Sequence, residues 1–245
     1  MKEENKIVKP YGDSEKSKKQ EVQEMFNNIS KRYDLLNHLL SMGIDKSWRK
    51  KAVRLLKPFA PKDILDIATG TGDFAIALLK LNPNKLVGVD ISEGMLAKGQ
   101  EKLKRKKLED KITLQLGDSE TLPFEDASFD AITVGFGVRN FENLEKGLGD
   151  MLRVLRPSGT VAILEFSKPK KFPVKQYFAF HSKYIIPFVG KMVSKDKAAY
   201  TYLPDSVAAF PEGENFVNIM KKVGYSSVSA HLVSGGIATI YLGKK

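Results

Sequence analysis

The sequence predicts an α/β protein, a seven-stranded doubly wound Rossmann-like sheet, and three observations carry that expectation. Between residues 63 and 167, short β-branched runs alternate with stretches of helical periodicity, as a parallel sheet with crossover helices requires. The first of these runs leads into Gly70-Thr71-Gly72, a glycine turn between a strand and a helix. The chain closes with two strand-like runs around Ser234-Gly235-Gly236, a hairpin signal.

Taken in order, Val22, Met25, Phe26, Ile29 and Tyr33 make one amphipathic stripe. A second helix runs through Trp48, Ala52, Leu55 and Leu56 until Pro58 ends it. Strands are expected at 64–67, 86–89, 112–114, 131–134 and 161–164. Phe74, Ala77, Leu78 and Leu81 mark one intervening helix, and Leu144, Leu148, Met151, Leu152 and Leu155 another. Lys98, Lys102, Lys104, Arg105, Lys106 and Lys107 crowd the end of a helix whose apolar positions are Met95, Leu96 and Leu103, and they read as a solvated face. Residues 168–210 are basic and aromatic, and a helix through Phe216, Ile219, Met220 and Val223 precedes the hairpin. The organisation expected is one domain over 1–245: a helical cap (1–62), a cofactor-binding core (63–167), a lid (168–210), and a last helix with the hairpin (211–245).

A hydrophobic share of 42% excludes wholesale disorder. The absence of cysteine removes disulfides, thiolate metal sites and thiol nucleophiles. No stretch approaches ~18 uncharged apolar residues, and the N-terminal residues lack an apolar signal core, so the expectation is a soluble, cytoplasmic protein. The net charge of +11 divides unevenly: residues 1–62 carry +7, residues 63–167 carry −4 and residues 168–245 carry +8. A polyanion running over the core is disfavoured by that division.

Gly70-x-Gly72-x-x-Ala75 fits a dinucleotide fingerprint, and Asp90 ends the next strand 20 residues after Gly70, where a carboxylate can grip both ribose hydroxyls. An ordinary strand-to-helix turn is the alternative, and the spacing itself leaves NAD and S-adenosylmethionine open. Asp66 and Asp73 crowd acid around the loop, which opposes a pyrophosphate and suits a sulfonium cation. Gly117-Asp118-Ser119 follows the third strand, where Asp118 and Ser119 can meet an adenine edge. The candidate cofactor residues are therefore Asp66, Thr69, Gly70, Gly72, Asp90, Asp118 and Ser119, and no metal site is expected. The closing hairpin adds an antiparallel strand, an arrangement that resembles class I methyltransferases with strand order 3-2-1-4-5-7-6.

Tyr33-Asp34-x-x-Asn37-His38-x-x-Ser41-x-Gly43-x-Asp45-x-x-Trp48-Arg49 resembles the N-terminal signature of the UbiE/MenG quinone methyltransferases. Arg153-x-x-Arg156-Pro157-Ser158-Gly159, continuing to Glu165 and Ser167, resembles their second signature, and Gly135-Phe136-Gly137-Val138-Arg139-Asn140 their motif after the fourth strand. Ser194-x-Asp196-x-x-x-Tyr200-x-Tyr202-Leu203-x-x-Ser206 and Ser234-Gly235-Gly236-Ile237 also look like the family. The resemblance runs from about Val22 to the C-terminus; Leu36 stands where the family often has Met, and Ser158 where Gly is usual.

The resemblance implies C-methylation of a demethylmenaquinol by S-adenosylmethionine, or of a benzoquinol in the ubiquinone pathway, with a prenylated quinol as partner. An RNA or other small-metabolite methyltransferase and a non-catalytic nucleotide-binding protein are the competing functions; no nucleic-acid-binding module is recognisable. The chemistry needs a group that stabilises a phenolate beside the transferring methyl. Arg139 and Asn140 are the candidates, with a salt bridge from Arg139 to Glu165 as the alternative for that side chain. Tyr33 is the third candidate, as a hydrogen-bond partner of the quinol or as a core-edge aromatic. His38 and His181 read as structural, and Trp48 as a packing anchor. The basic flanks are expected either to cap the substrate and rest against an anionic membrane surface at the inner face of the membrane, or to be solvated. No residue pattern fixes the oligomeric state.

Overall fold

Successive residues of the central strands point to opposite faces of the sheet, and the two faces bury different partners. The structure, a computed structural model, describes residues 8–13, 15–34, 37, 41, 43–185 and 198–245. Leu36, His38, Ser194 and Asp196 of the sequence motifs lie outside the described residues. One sheet contains β1 (Asp63–Ile67), β2 (Lys85–Asp90), β3 (Thr113–Leu116), β4 (Phe129–Gly135), β5 (Leu155–Phe166), β6 (Ser226–Val233) and β7 (Ala238–Lys244), in the order β3-β2-β1-β4-β5-β7-β6. The first five pair in parallel, while β7 is antiparallel to both β5 and β6, in the order the resemblance implied.

The helices are α1 (Lys18–Ile29), α2 (Ile44–Leu56), α3 (Asp73–Leu78), α4 (Glu93–Lys106), α5 (Leu144–Val154), α6 (Val174–Phe180), α7 (Ala198–Ala209) and α8 (Glu214–Val223). Leu65, Ile132 and Ile163 face Leu148, Met151, Phe216 and Met220 of α5 and α8. Ile64, Ala131 and Ala162 face the other way, toward Trp48, Leu56, Phe74 and Leu103 of α2, α3 and α4. Each large side chain fully buried in these layers contributes about 1.5–3 kcal/mol.

Local chemistry sets the boundaries. Ser17 and Gln20 form a reciprocal capping box that starts α1. The helix expected to reach Leu81 is α only to Leu78 and tightens to a 3-10 turn, because Pro83 disfavours continuation and Asn82 turns left-handed at φ +51°. Leu155, read as a helical position, is instead the first residue of β5 and pairs with Phe129, since Pro157 forces the chain out of the helix. Ser158 holds φ +65°, the conformation for which glycine is the default.

Lys102 departs from the solvated face expected of its neighbours. It shares a buried face of α4 with Met95, Gly99 and Leu103, and its ammonium lies 2.6 Å from Asp34 and 2.7 Å from Asp73. No described helix is long and apolar enough to cross a membrane.

Candidate active site

The parallel strands end along one edge of the sheet, and the loops there enclose two adjoining cavities. The smaller, of about 60 Å³, is lined by Gly70, Asp90, Asp118, Ser119, Gly135 and Asn140 among others. The larger, of about 280 Å³, is mainly apolar and lies under α1, α2, α6 and α7, with Met25, Ile29, Trp48, Phe166, Phe178 and Leu203 in its wall. Phe26, Tyr33 and Phe136 line both cavities and so form the partition between them.

The loop after β1 is built from within. Asp66, fully buried, accepts hydroxyl hydrogen bonds from Thr69 at 2.7 Å and Thr133 at 2.5 Å. Burial pushes its carboxyl up to about 6 against the pull of those donors. Gly88 lets the loop settle on β2, since a Cβ there would meet the Thr69 hydroxyl at 2.8 Å. Gly70 adopts φ +57° and donates its N–H to Asp90 at 2.8 Å.

Asp66, Thr69 and Gly72 line neither cavity; Asp66 and Thr69 shape from within the loop that presents Gly70. The two acids expected to crowd the loop, Asp66 and Asp73, both lie there with partners of their own. Asp66 is hydrogen-bonded inside the core, and Asp73 pairs with Lys102 and Arg49. The carboxylates that face the smaller cavity are Asp90, Asp118, Glu120 and Glu142. Asp90 also accepts from Ser92 N–H at 2.9 Å, and burial raises it to about 6.

Helix α1, expected as part of a cap, contributes to the walls of both cavities, and its place over the smaller one rests on polar residues outside the apolar stripe. Lys19, Gln23 and Asn27, spaced four apart, face the loop edge. Lys19 reaches Asp118 at 2.6 Å, Gln23 donates to the Ile91 carbonyl at 2.8 Å, and the Asn27 oxygen accepts from Ser92 Oγ at 2.7 Å and from Gly94 N–H. Lys18 donates to the carbonyls of Arg139 and Phe141, both at 2.9 Å, and burial beside the Arg139 guanidinium lowers it to about 8.

Arg139 and Asn140 sit in the 3-10 turn Val138–Asn140 just past β4, and the two side chains serve different cavities. Arg139 lines the larger, Asn140 the smaller. Arg139 Nη1 donates to Glu165 at 2.8 Å and to the Phe136 carbonyl at 2.5 Å, Nε contacts Ser206 Oγ at 3.3 Å, and the guanidinium lies over the Phe166 ring. Its Nη2 has no hydrogen-bond partner among the described residues. Glu165 is 0% exposed, so the salt bridge and a place on the cavity wall coexist. Asn140 accepts from the Tyr202 hydroxyl at 3.0 Å. Tyr33 packs edge-on against Phe26, is hydrogen-bonded to Asn37, and is raised above the usual phenol range by burial.

The family model for the ubiE/COQ5 methyltransferase family matches residues 14–245, nearly the whole chain. The chain belongs to the ubiE/COQ5 methyltransferase family. Within similar proteins, a demethylmenaquinone methyltransferase of Bacteroides fragilis is 51% identical over 239 residues, covering 97% of each chain. A demethylmenaquinone methyltransferase of Porphyromonas gingivalis is 45% identical over 240 residues, covering 97% of this chain and 98% of its own. Among solved structures, a SAM-dependent methyltransferase of Thermotoga maritima, described as a possible histamine N-methyltransferase, superposes with a TM-score of 0.65 at 18% identity, covering 91% of this chain and 99% of its own. That last likeness is one of fold.

The family accounts for the Trp48 signature in structural terms. The indole N–H donates to Ser234 Oγ at 2.7 Å, and the ring packs on Phe136 and Phe166, so two distant signatures of the ubiE/COQ5 family meet at one wall of the larger cavity.

The smaller cavity suits S-adenosylmethionine in its chemistry. Its wall is backbone at Gly70, Gly117, Gly135 and Gly137, and a Cβ on Gly137 would meet Ala68 at 2.5 Å. Its carboxylates favour hydroxyl, amino and sulfonium groups. Lys19 of α1 reaches across the cavity's rim to Asp118.

Proposed function

We propose that the protein methylates the ring carbon of a demethylmenaquinol, with S-adenosylmethionine as methyl donor. The observation that carries this reading is the partition of Phe26, Tyr33 and Phe136, which sets a mainly apolar cavity directly against a cavity whose polar groups suit an adenosyl group. Full-length relatives named demethylmenaquinone methyltransferases support the naphthoquinol ring.

When bound, the donor supplies an electrophilic methyl on a sulfonium. Asp90 would accept from the ribose hydroxyls, the Gly70 loop would approach the donor through its backbone, and Asp118 with Ser119 would meet the adenine edge. In the larger cavity Arg139 stabilises the phenolate left when the quinol hydroxyl loses its proton, with Glu165 fixing the guanidinium plane. Arginine stays protonated, so the proton leaves to water. Methylation of the electron-rich ring carbon would release S-adenosylhomocysteine, and water would take the ring proton and return one to the oxygen held by Arg139, giving the methylated quinol. Tyr33, on the partition, hydrogen-bonds the quinol oxygen, and Asn140, held by Tyr202, fixes the turn on the donor side. The prenyl tail follows the apolar wall toward α6, and the basic flanks bring the enzyme to an anionic membrane surface.

Incubation with methyl-labelled S-adenosylmethionine and reduced, short-tailed demethylmenaquinone tests the reading. Labelled menaquinol is expected. Its absence, or preferential labelling of a benzoquinol or of RNA offered in parallel, overturns it.

A further inference from the structure

Helix α6 and the turn His181–Ile185 that follows it have an unusual distribution of side chains. One side lines the larger cavity with Tyr177, Phe178 and His181. The helix buries none of its residues, and Phe172 just before it is 80% exposed, Phe180 55% and Tyr184 54%. Exposed aromatics gathered on one short element are uncommon on a soluble surface and mark an interaction site.

Charge narrows the partner. Residues 168–195 contain seven lysines and no acidic residue, and Lys168, Lys170, Lys171 and Lys175 are exposed beside Phe172. Lysines alone would suit any polyanion. Lysines around protruding phenylalanines suit a surface that offers anionic headgroups above an apolar layer.

We propose that α6 and the residues just before it dock on an anionic lipid bilayer, with Phe172 and Phe180 inserted below the headgroups, so that the larger cavity opens to the lipid. This rests on the quinol reading for what enters the cavity. The substrate's tail then stays in the bilayer while its ring passes along Tyr177 and Phe178 to Arg139.

The test uses the full chain with phosphatidylglycerol-containing and pure phosphatidylcholine vesicles at low salt. Cosedimentation with the anionic vesicles is expected, at least about tenfold weaker for the double variant Phe172→Ser/Phe180→Ser and about fivefold weaker for each lysine neutralised in Lys170→Gln/Lys171→Gln. Neither pair lines the cavity, so methyl transfer to a water-soluble short-tailed quinol stays within about twofold of wild type. Transfer to a long-tailed quinol embedded in vesicles falls about tenfold or more. No vesicle binding, binding indifferent to the phenylalanines, or loss of binding to added RNA instead of to salt overturns the proposal. A concentration-dependent dimer that disappears in the phenylalanine variant without vesicle binding also overturns it. Failure of the function reading is separate: wild-type protein that binds vesicles but methylates neither quinol refutes the activity and leaves the docking surface standing.

Discussion

Arg139 is held by three elements at once: Glu165 on β5, the Phe136 carbonyl and Ser206 on α7. Lysine at this position keeps the charge but cannot reproduce the planar fork. Arg139→Lys is therefore expected to lower kcat about 100-fold with donor affinity nearly unchanged, measured by methyl transfer and by calorimetric titration with S-adenosylhomocysteine. Asp90 makes a prediction in pH. Its carboxyl rises from 3.8 to about 6 on folding, so between these values the folded chain binds more protons than the unfolded one. The stability it contributes is complete below pH 3.8 and is lost as pH rises through about 6, and Asp66 adds to the same slope. With Asp90 as the proposed ribose ligand, donor binding is expected to have the opposite slope, because the ionised carboxylate is the better acceptor of hydroxyl hydrogen bonds. Affinity for S-adenosylhomocysteine is expected to weaken by up to about tenfold per pH unit below pH 6. Asp90→Asn should bind about 10–100-fold more weakly and lose this dependence; retention of either the affinity or the slope would remove Asp90 from the ribose.

Among the elements, the strands and their order were legible because β-branched runs alternate with 3.6-residue periodicity, and Gly70 and Asp90 were legible because their spacing is fixed by the strand-to-helix geometry. Helix α1 was only half legible. Its apolar stripe gave the helix, but Lys19, Gln23 and Asn27 make contacts whose partners lie about 65–100 residues away, which no local pattern encodes. Lys102 was misread because five neighbouring basic residues suggested solvent, although its spacing from Met95 and Gly99 puts it on the apolar side. Lys102→Met leaves Asp34 and Asp73 without their shared cation. Both acids keep contact with water, so the cost is expected at about 1–3 kcal/mol in denaturant unfolding, below the range for a fully buried pair. Ser158→Gly relieves a left-handed serine and is expected to raise stability by about 0.5–1 kcal/mol in the same measurement.

Across the whole molecule, the charge division has a structural counterpart. The −4 segment supplies the five parallel strands and the carboxylates of the smaller cavity, while the two basic flanks supply most of the wall of the apolar cavity. Some of the positive charge is internal: Lys18, Lys19 and Lys102 clamp loops, and Arg49 pairs with Asp45 and Asp73. Residues 168–195, which include α6, carry seven lysines with no acid among them. The sequence located both this charge and the aromatic residues beside it, but not which of them face outward, because periodicity over so short a helix does not tell a cavity wall from an outer face.

The partition of Phe26, Tyr33 and Phe136 has a consequence for timing. A helix that roofs two chambers cannot rise over one without loosening the other, so the two products are expected to depart in a fixed sequence. Product-inhibition patterns read this directly: S-adenosylhomocysteine should be competitive against the donor and noncompetitive against the quinol, whereas independent chambers would give random-order kinetics.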